Sequence, residues 1–322
     1  MLRSSIIILI TLLVVSCGKT TDEKTMEAVL SANISLSKGN CQEAINILEA
    51  NGRQNNNSHY LKTLASAYAC RSKFSVVTFF ASDIGLSVTP APLGGAAKYS
   101  TSLAVVSTPL QTDNNFQDLQ TAINILYYAG GFSSATEPTS FERLKYFTTT
   151  DAGEINSQLL FMTLAQLGKY MKVYANAGTT GVKGSGGAGN NCFTNYTDAG
   201  IPPPIITALS SMPGACKVTN SPHAQLATAV TARRTRLCQG VVLVNGILDT
   251  LPSVIASGAG SLGSISTLTA NINSYKASLV AAYPAVGLVT TVLSQYNCEN
   301  DPGITTATLE SYFAIIFEAL IQ

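Results

Sequence analysis

The chain has 322 residues but no tryptophan and only two histidines, His59 and His223. Without histidine, a protein loses the side chain that most often serves as general base, proton shuttle or zinc ligand near neutral pH. Charge is scarce too: Asp, Glu, Lys and Arg make up 11% of the residues, against ~25% in an ordinary soluble domain. With 19 basic and 18 acidic residues there is no field to attract nucleic acid or anionic lipid. No C-x-x-C, H-E-x-x-H or G-x-S-x-G stretch is present. His59 opens a helix pattern and reads as exposed, and Glu154, Glu310 and Glu318 stand isolated in helical stretches rather than as a glycosidase pair. These gaps lead to the expectation of a protein that is not an enzyme, binds no metal or cofactor and contacts no nucleic acid.

Long unbroken apolar runs are also missing. The uncharged stretch at residues 277–298 is interrupted by Pro284 and Gly287 and predicts a buried helix pair rather than a membrane span. Gly184, Gly186 and Gly189 spell G-x-G-x-x-G. That run follows a long helix instead of a strand, so it predicts a loop rather than a dinucleotide site. Arg233, Arg234 and Arg236 read as a solvated helix face.

The N-terminus is more informative. Arg3 precedes an uncharged apolar run from Ile6 to Val15, and Val14-Val15-Ser16-Cys17 is followed by Gly18. A run of about ten residues is half the ~20 needed to cross a bilayer and suits the core of a signal peptide. The segment resembles a bacterial lipoprotein signal, with Val14 in place of the usual Leu. The resemblance implies cleavage after residue 16 and a diacylglycerol on the sulfur of Cys17. It also implies anchoring in a membrane, and Gly18 in place of Asp favours the outer one. Cleavage would remove Arg3 and no acid, leaving 18 charges of each sign. The expected plan is a signal peptide at 1–16 and a lipidated tether at 17–24.

From residue 25 the spacing is helical. Residues 25–37 carry Met26, Ala28, Val29, Ala32, Ile34 and Leu36; residues 41–51 carry Ala44, Ile45, Ile47 and Leu48; residues 59–73 carry Tyr60, Leu61, Leu64, Ala65, Tyr68 and Ala69. Lys38-Gly39-Asn40 and the run Gly52 to Ser58 supply the turns, and Phe74 begins a fourth apolar stretch. Leu64, Ala65 and Tyr68 in one helix, and Ala44 and Leu48 in another, resemble the tetratricopeptide repeat. Val77 lies 33 residues beyond Ala44, close to the repeat's ~34-residue period. The family's Trp, a Gly at position 65 and a Pro near position 56 are missing. The likeness covers residues 25–85 and implies antiparallel helical hairpins.

Setting Cys17 aside leaves six cysteines, an even number suited to an oxidising compartment. In an antiparallel hairpin, positions equidistant from the turn meet. Cys41 and Cys70 average to 55.5, inside the Asn55–Asn56 turn, so a Cys41–Cys70 disulfide is predicted; two buried free thiols are the alternative. A local Cys192–Cys216 bridge would staple the loop between them and leave Cys238 with Cys298, but the sequence leaves the connectivity of these four open.

Residues 86–114, with Pro90, Pro92 and Pro109, read as a connector holding a short helix near 96–106. Residues 115–322 read as a helical body, with its longest helix at 153–176 and a Gly-rich loop at 178–191. A further helix is expected over 222–257, broken at Pro252, and a closing amphipathic helix carries Leu309, Phe313, Ile316, Phe317 and Leu320. The fold class is therefore all-α: disulfide-stapled hairpins of tetratricopeptide-like plan continuing into a larger helical array. The leading functional expectation is an exported, lipid-anchored scaffold or assembly factor that binds a protein or peptide. A small-molecule or lipid carrier is the second expectation, and an oligomeric helical pore the third.

Overall fold

A computed structural model of the chain describes residues 20–75, 79, 112–176, 192–211, 216, 222–256 and 263–320. The signal segment, Cys17, the expected helix 96–106 with most of its connector, and the Gly-rich loop lie outside these residues, as does most of the fourth apolar stretch after Phe74. The described residues are helical, with no strand among them; Cys192 and Pro222 form an isolated bridge.

The first helix, α1 (Thr21–Ser37), begins inside the expected tether because Thr20 caps it: its hydroxyl accepts from the Glu23 N–H while the Glu23 carboxylate accepts from the Thr20 N–H. α2 (Cys41–Ala50) and α3 (Ser58–Arg71) follow, the latter capped by Asn57. α4 (Asn114–Tyr127) is capped by Asp113, and α6 (Thr149–Tyr174), the longest helix at 26 residues, by Thr148. Between them sits one short turn of helix, α5 (Ser140–Arg143). Then come α7 (Pro203–Ser211), α8 (Arg233–Ala256), α9 (Gly263–Ala282), α10 (Gly287–Thr291) and α11 (Gln295–Asn300). The last helix, α12, runs over Thr306–Tyr312 and continues through a π-helical turn, Phe313–Phe317, into Glu318–Leu320.

Side-chain contacts fix the direction of the long helices. Asn51 at the end of α2 donates to Thr25 in the first turns of α1 (3.1 Å), and Ser58 at the start of α3 donates to Asp151 at the start of α6 (2.6 Å). Arg71, ending α3, grips Asp118 near the start of α4, and Lys169 near the end of α6 lies 2.8 Å from Asp113. The Tyr170 hydroxyl donates to the Arg236 carbonyl at the start of α8 (2.8 Å), whereas Asp249 near the end of α8 accepts from Ser140 (2.7 Å). Hence α1, α3 and α6 start at one end of the array, called proximal here, and α2, α4 and α8 start at the distal end. One apolar core runs from Val29 to Ala319, so the hairpin region and the body share it.

Four sequence expectations change. Met26 and Ile34 of α1 are about half exposed, because Thr25, Val29, Ala32 and Ser35 form the buried face. Residues 222–232 precede α8 as a 3₁₀ turn and bends, and Ala232 takes a positive φ of 61° just before the helix starts. α8 runs through Pro252 to Ala256, so the proline removes one N–H donor from the ladder without ending the helix. Finally, α12 is buried on every side from Ala307 to Ala319 rather than along one stripe, with the Phe313 and Phe317 rings stacked at 4.0 Å.

α8 is also the one described helix long and apolar enough to cross a bilayer, with mean hydropathy 1.4 over its most apolar 18 residues within Arg233–Ile255. In that stretch 67% of the apolar window is buried inside the array, as befits a core helix.

Candidate functional site

The three disulfides are Cys41–Cys70, Cys192–Cys216 and Cys238–Cys298, with Cα separations of 5.5, 4.8 and 5.6 Å. The distal end holds Cys41 at the start of α2, Cys70 at the end of α3 and Cys238 in the first turns of α8. Glu318 lies close enough to the Cys192 and Cys216 sulfurs to suggest a metal-ligand group. Both sulfurs are consumed by the bridge, and Glu318 already accepts from the Phe193 N–H (2.9 Å) and the Tyr196 hydroxyl (2.5 Å).

The arginine cluster is not a solvated face. Arg233 is 8% exposed, donates to the Leu226 carbonyl (3.0 Å) and the Thr194 hydroxyl (2.7 Å), and pairs with Glu310. Arg234 reaches the carbonyls of Cys298 and Ile304, and Arg236 those of Gln225 and Thr231. Helical loops leave carbonyls that need donors, and the fork of a guanidinium can serve several at once. Glu310 and Glu318, which look isolated along the chain, are both 1% exposed and tie the 193–198 segment to α12.

His59 is exposed at the start of α3. His223 is partly buried, its Nδ1 accepts from the Gln225 N–H (3.1 Å), and its ring lies edge-on to Tyr174 at 5.1 Å. Burial, with Arg236 adding to it, pulls the imidazole pKa down to about 4. Glu154 pairs with Lys62 across α3 and α6. Burial also lowers the Lys276 amine to about 8, and this amine donates to the Asn245 carboxamide (3.3 Å).

Sequence inspection passes over Arg143 entirely. This side chain is fully buried, donates to Asn156 (2.6 Å) and the Pro138 carbonyl (2.7 Å), and lies 3.6 Å from Asp249. Desolvation pushes the Arg143 pKa down and the Asp249 pKa up, so burial outweighs their mutual attraction. Nothing in the local sequence separates this arginine from the partly exposed Arg71.

A cleft of about 940 Å³ opens between α1, α3 and α6. Leu36, Ala69, Phe74, Phe161 and Met162 form its apolar wall. Ser66, Thr149, Ser157, Gln158 and Glu154 add polar groups, and Cys70 places the first disulfide on its rim. Gln158 donates to the Ser66 hydroxyl (2.9 Å) and the Lys62 carbonyl (3.2 Å), which fastens α3 to α6 beneath the opening. A smaller recess of about 310 Å³ between α4 and α8 is lined with carboxamides, Gln117, Gln120, Asn124, Gln239 and Gln295.

No protein-family model, curated protein or solved structure matches this chain.

Proposed function

We propose that the chain is a lipid-anchored, exported helical binding protein, held to a membrane through acylated Cys17, and that the cleft between α1, α3 and α6 receives an amphipathic segment of a partner polypeptide. The observation that carries this is the make-up of the cleft. Its walls come from three helices that start at the same end, the arrangement that lines the inner surface of tetratricopeptide-like arrays, and it offers an apolar wall beside a polar one. The buried carboxylates Glu310 and Glu318 are committed to Arg233, Tyr196 and backbone N–H groups, which supports a binding role over a catalytic one. A pore would call for an exposed apolar stripe on the last helix, and α12 is buried.

The test is site-specific photocrosslinking from membranes. A photoreactive side chain at Ser157, in the cleft, should give a discrete polypeptide adduct. The same group at Asn46, exposed on α2, should give none. A cleft that crosslinks only to lipid or retains an acyl ligand in native mass spectrometry would replace the scaffold with the small-molecule carrier; a cleft that captures neither would sink both. Anchoring is tested separately: Cys17→Ser should lose lipid labelling and membrane association.

A further inference from the structure

We propose that the proximal end of the helical array docks edge-on into the bilayer surface, with Phe141, Leu144 and Tyr146 as its membrane-embedded contacts. The proposal rests on the lipid anchor at Cys17.

The chain path sets the geometry. Only Gly18 and Lys19 separate Cys17 from Thr20, the cap of α1, three residue steps with a reach of at most ~11 Å. An acylated Cys17 would therefore hold the proximal end against the lipid headgroups. The surrounding contacts place α5 at that same end. The Gly130 N–H donates to the Asn55 carbonyl in the α2–α3 turn (2.9 Å), and the Tyr146 ring packs on Gly130 and stacks with Phe132 at 6.0 Å.

Five of the nine exposed large apolar side chains among the described residues lie at that end, the others being Leu30, Ile34, Leu288 and Tyr296. Phe141 is 67% exposed, Leu144 46% and Tyr146 45%. Met26 in the first turns of α1 and Ile255 at the end of α8 are exposed at the same end. These side chains are held out by the fold: inside the same short segment, Arg143 is locked inward against Asn156, Pro138 and Asp249, and Ser140 donates twice to the Asp249 carboxylate. A buried arginine thus braces three outward apolar groups. Aromatic rings with a lysine beside them suit the bilayer interface, and the Lys145 amine lies 5.6 Å from the centre of the Phe141 ring. The near-zero net charge calls for apolar insertion instead of attraction to anionic lipid.

The absence of tryptophan allows a direct test on the full-length lipidated protein. Single-tryptophan variants Phe141→Trp and, as a control away from this end, Tyr296→Trp are reconstituted in vesicles of phosphatidylethanolamine with a minority of phosphatidylglycerol. Some vesicles carry bromine on the acyl chains, and mass spectrometry of the N-terminal peptide reports acylation. Because interfacial groups sit ~5–10 Å into the headgroup boundary, bromine should remove about half of the Phe141→Trp emission and leave Tyr296→Trp unchanged. Equal, weak quenching of both variants with Cys17 acylated overturns the docking and spares the anchor. Blue-shifted but unquenched Phe141→Trp emission, together with a dimer in detergent, assigns the patch to a second copy of the chain and overturns the proposal. An unacylated Cys17 removes both the anchor and the docking.

Discussion

The hydroxyl oxygen of Tyr127 stands 1.5 Å from the point where a Cβ on Gly246 would lie. α4 and α8 approach so closely there that only glycine fits, and Gly240, one and a half turns earlier, similarly faces Phe317 and Tyr170 at 2.9 Å. Gly246→Ala should destabilise the protein even though alanine is the better helix former by ~1 kcal/mol. Overpacking of this kind costs about 3 kcal/mol, so a net loss of about 2 kcal/mol in denaturant unfolding is expected. Adding Tyr127→Phe should recover part of it, since the next ring atom is 2.9 Å from the same point. Additive losses in the double variant would show that the two positions do not share this space.

The Cys41–Cys70 bridge closes a loop of sequence separation 29. Replacing both cysteines with serine should cost about 3.5 kcal/mol in the chain-entropy account. Because Cys70 lines the cleft, crosslinking from Ser157 should weaken with it. A variant that keeps its denaturation midpoint would show that packing of α2 on α3 suffices.

His223 gives the protein a pH dependence with a defined sign. Above pH 6.5 the ring is neutral both folded and unfolded. Between 6.5 and about 4 the unfolded chain takes up a proton that the folded ring refuses, so stability falls as pH falls. Below about 4 this contribution is fully lost. His223→Gln should flatten the denaturation midpoint across that window, and an unchanged slope would assign the dependence to other groups.

Arg143 should be the most sensitive charged position at the proximal end. Truncating one member of a buried ion pair costs ~3–5 kcal/mol, because it strands the partner and the bonded carbonyls. Arg143→Ala should fall in that range by thermal or chemical unfolding. Hydrogen exchange should rise first in the 138–148 segment, which that side chain braces. Uniform loss of protection along the chain would contradict the local role.

Asn245 ties α8 to α9, α10 and α12, donating to the Val289 and Val292 carbonyls at 2.9 Å each and accepting from the Tyr312 hydroxyl at 3.0 Å and the Lys276 amine at 3.3 Å. Asn245→Leu keeps the volume and strands all four partners. A loss of about 3 kcal/mol is expected from unsatisfied buried groups. A smaller loss restored by Tyr312→Phe would show that the hydroxyl carries most of it.

Local rules made much of this protein legible. Apolar spacing marked α1, α2, α3, α6 and α12, and the midpoint of a tight turn paired Cys41 with Cys70, because hairpin geometry depends only on separation along the chain. Caps set the true starts of the helices: Thr20 begins α1 four residues before the apolar pattern does, since its hydroxyl satisfies the helix's open N–H groups. The buried charges were not legible. Arg233, Arg143, Glu310 and Glu318 look like surface residues in their own segments, because their side-chain partners lie 13 to 122 residues away.

The sequence by itself determined the all-α class, the turns and the scarcity of charge and catalytic side chains, because each depends on residues within a few positions of one another. Only the tertiary structure decided that α1, α3 and α6 wall one cleft, that α12 is enclosed on all sides, and that Arg143 turns inward while Phe141, Leu144 and Tyr146 stay outside. Those outcomes follow from which helices meet, and desolvated charges choose their partners only after the core has brought distant segments together.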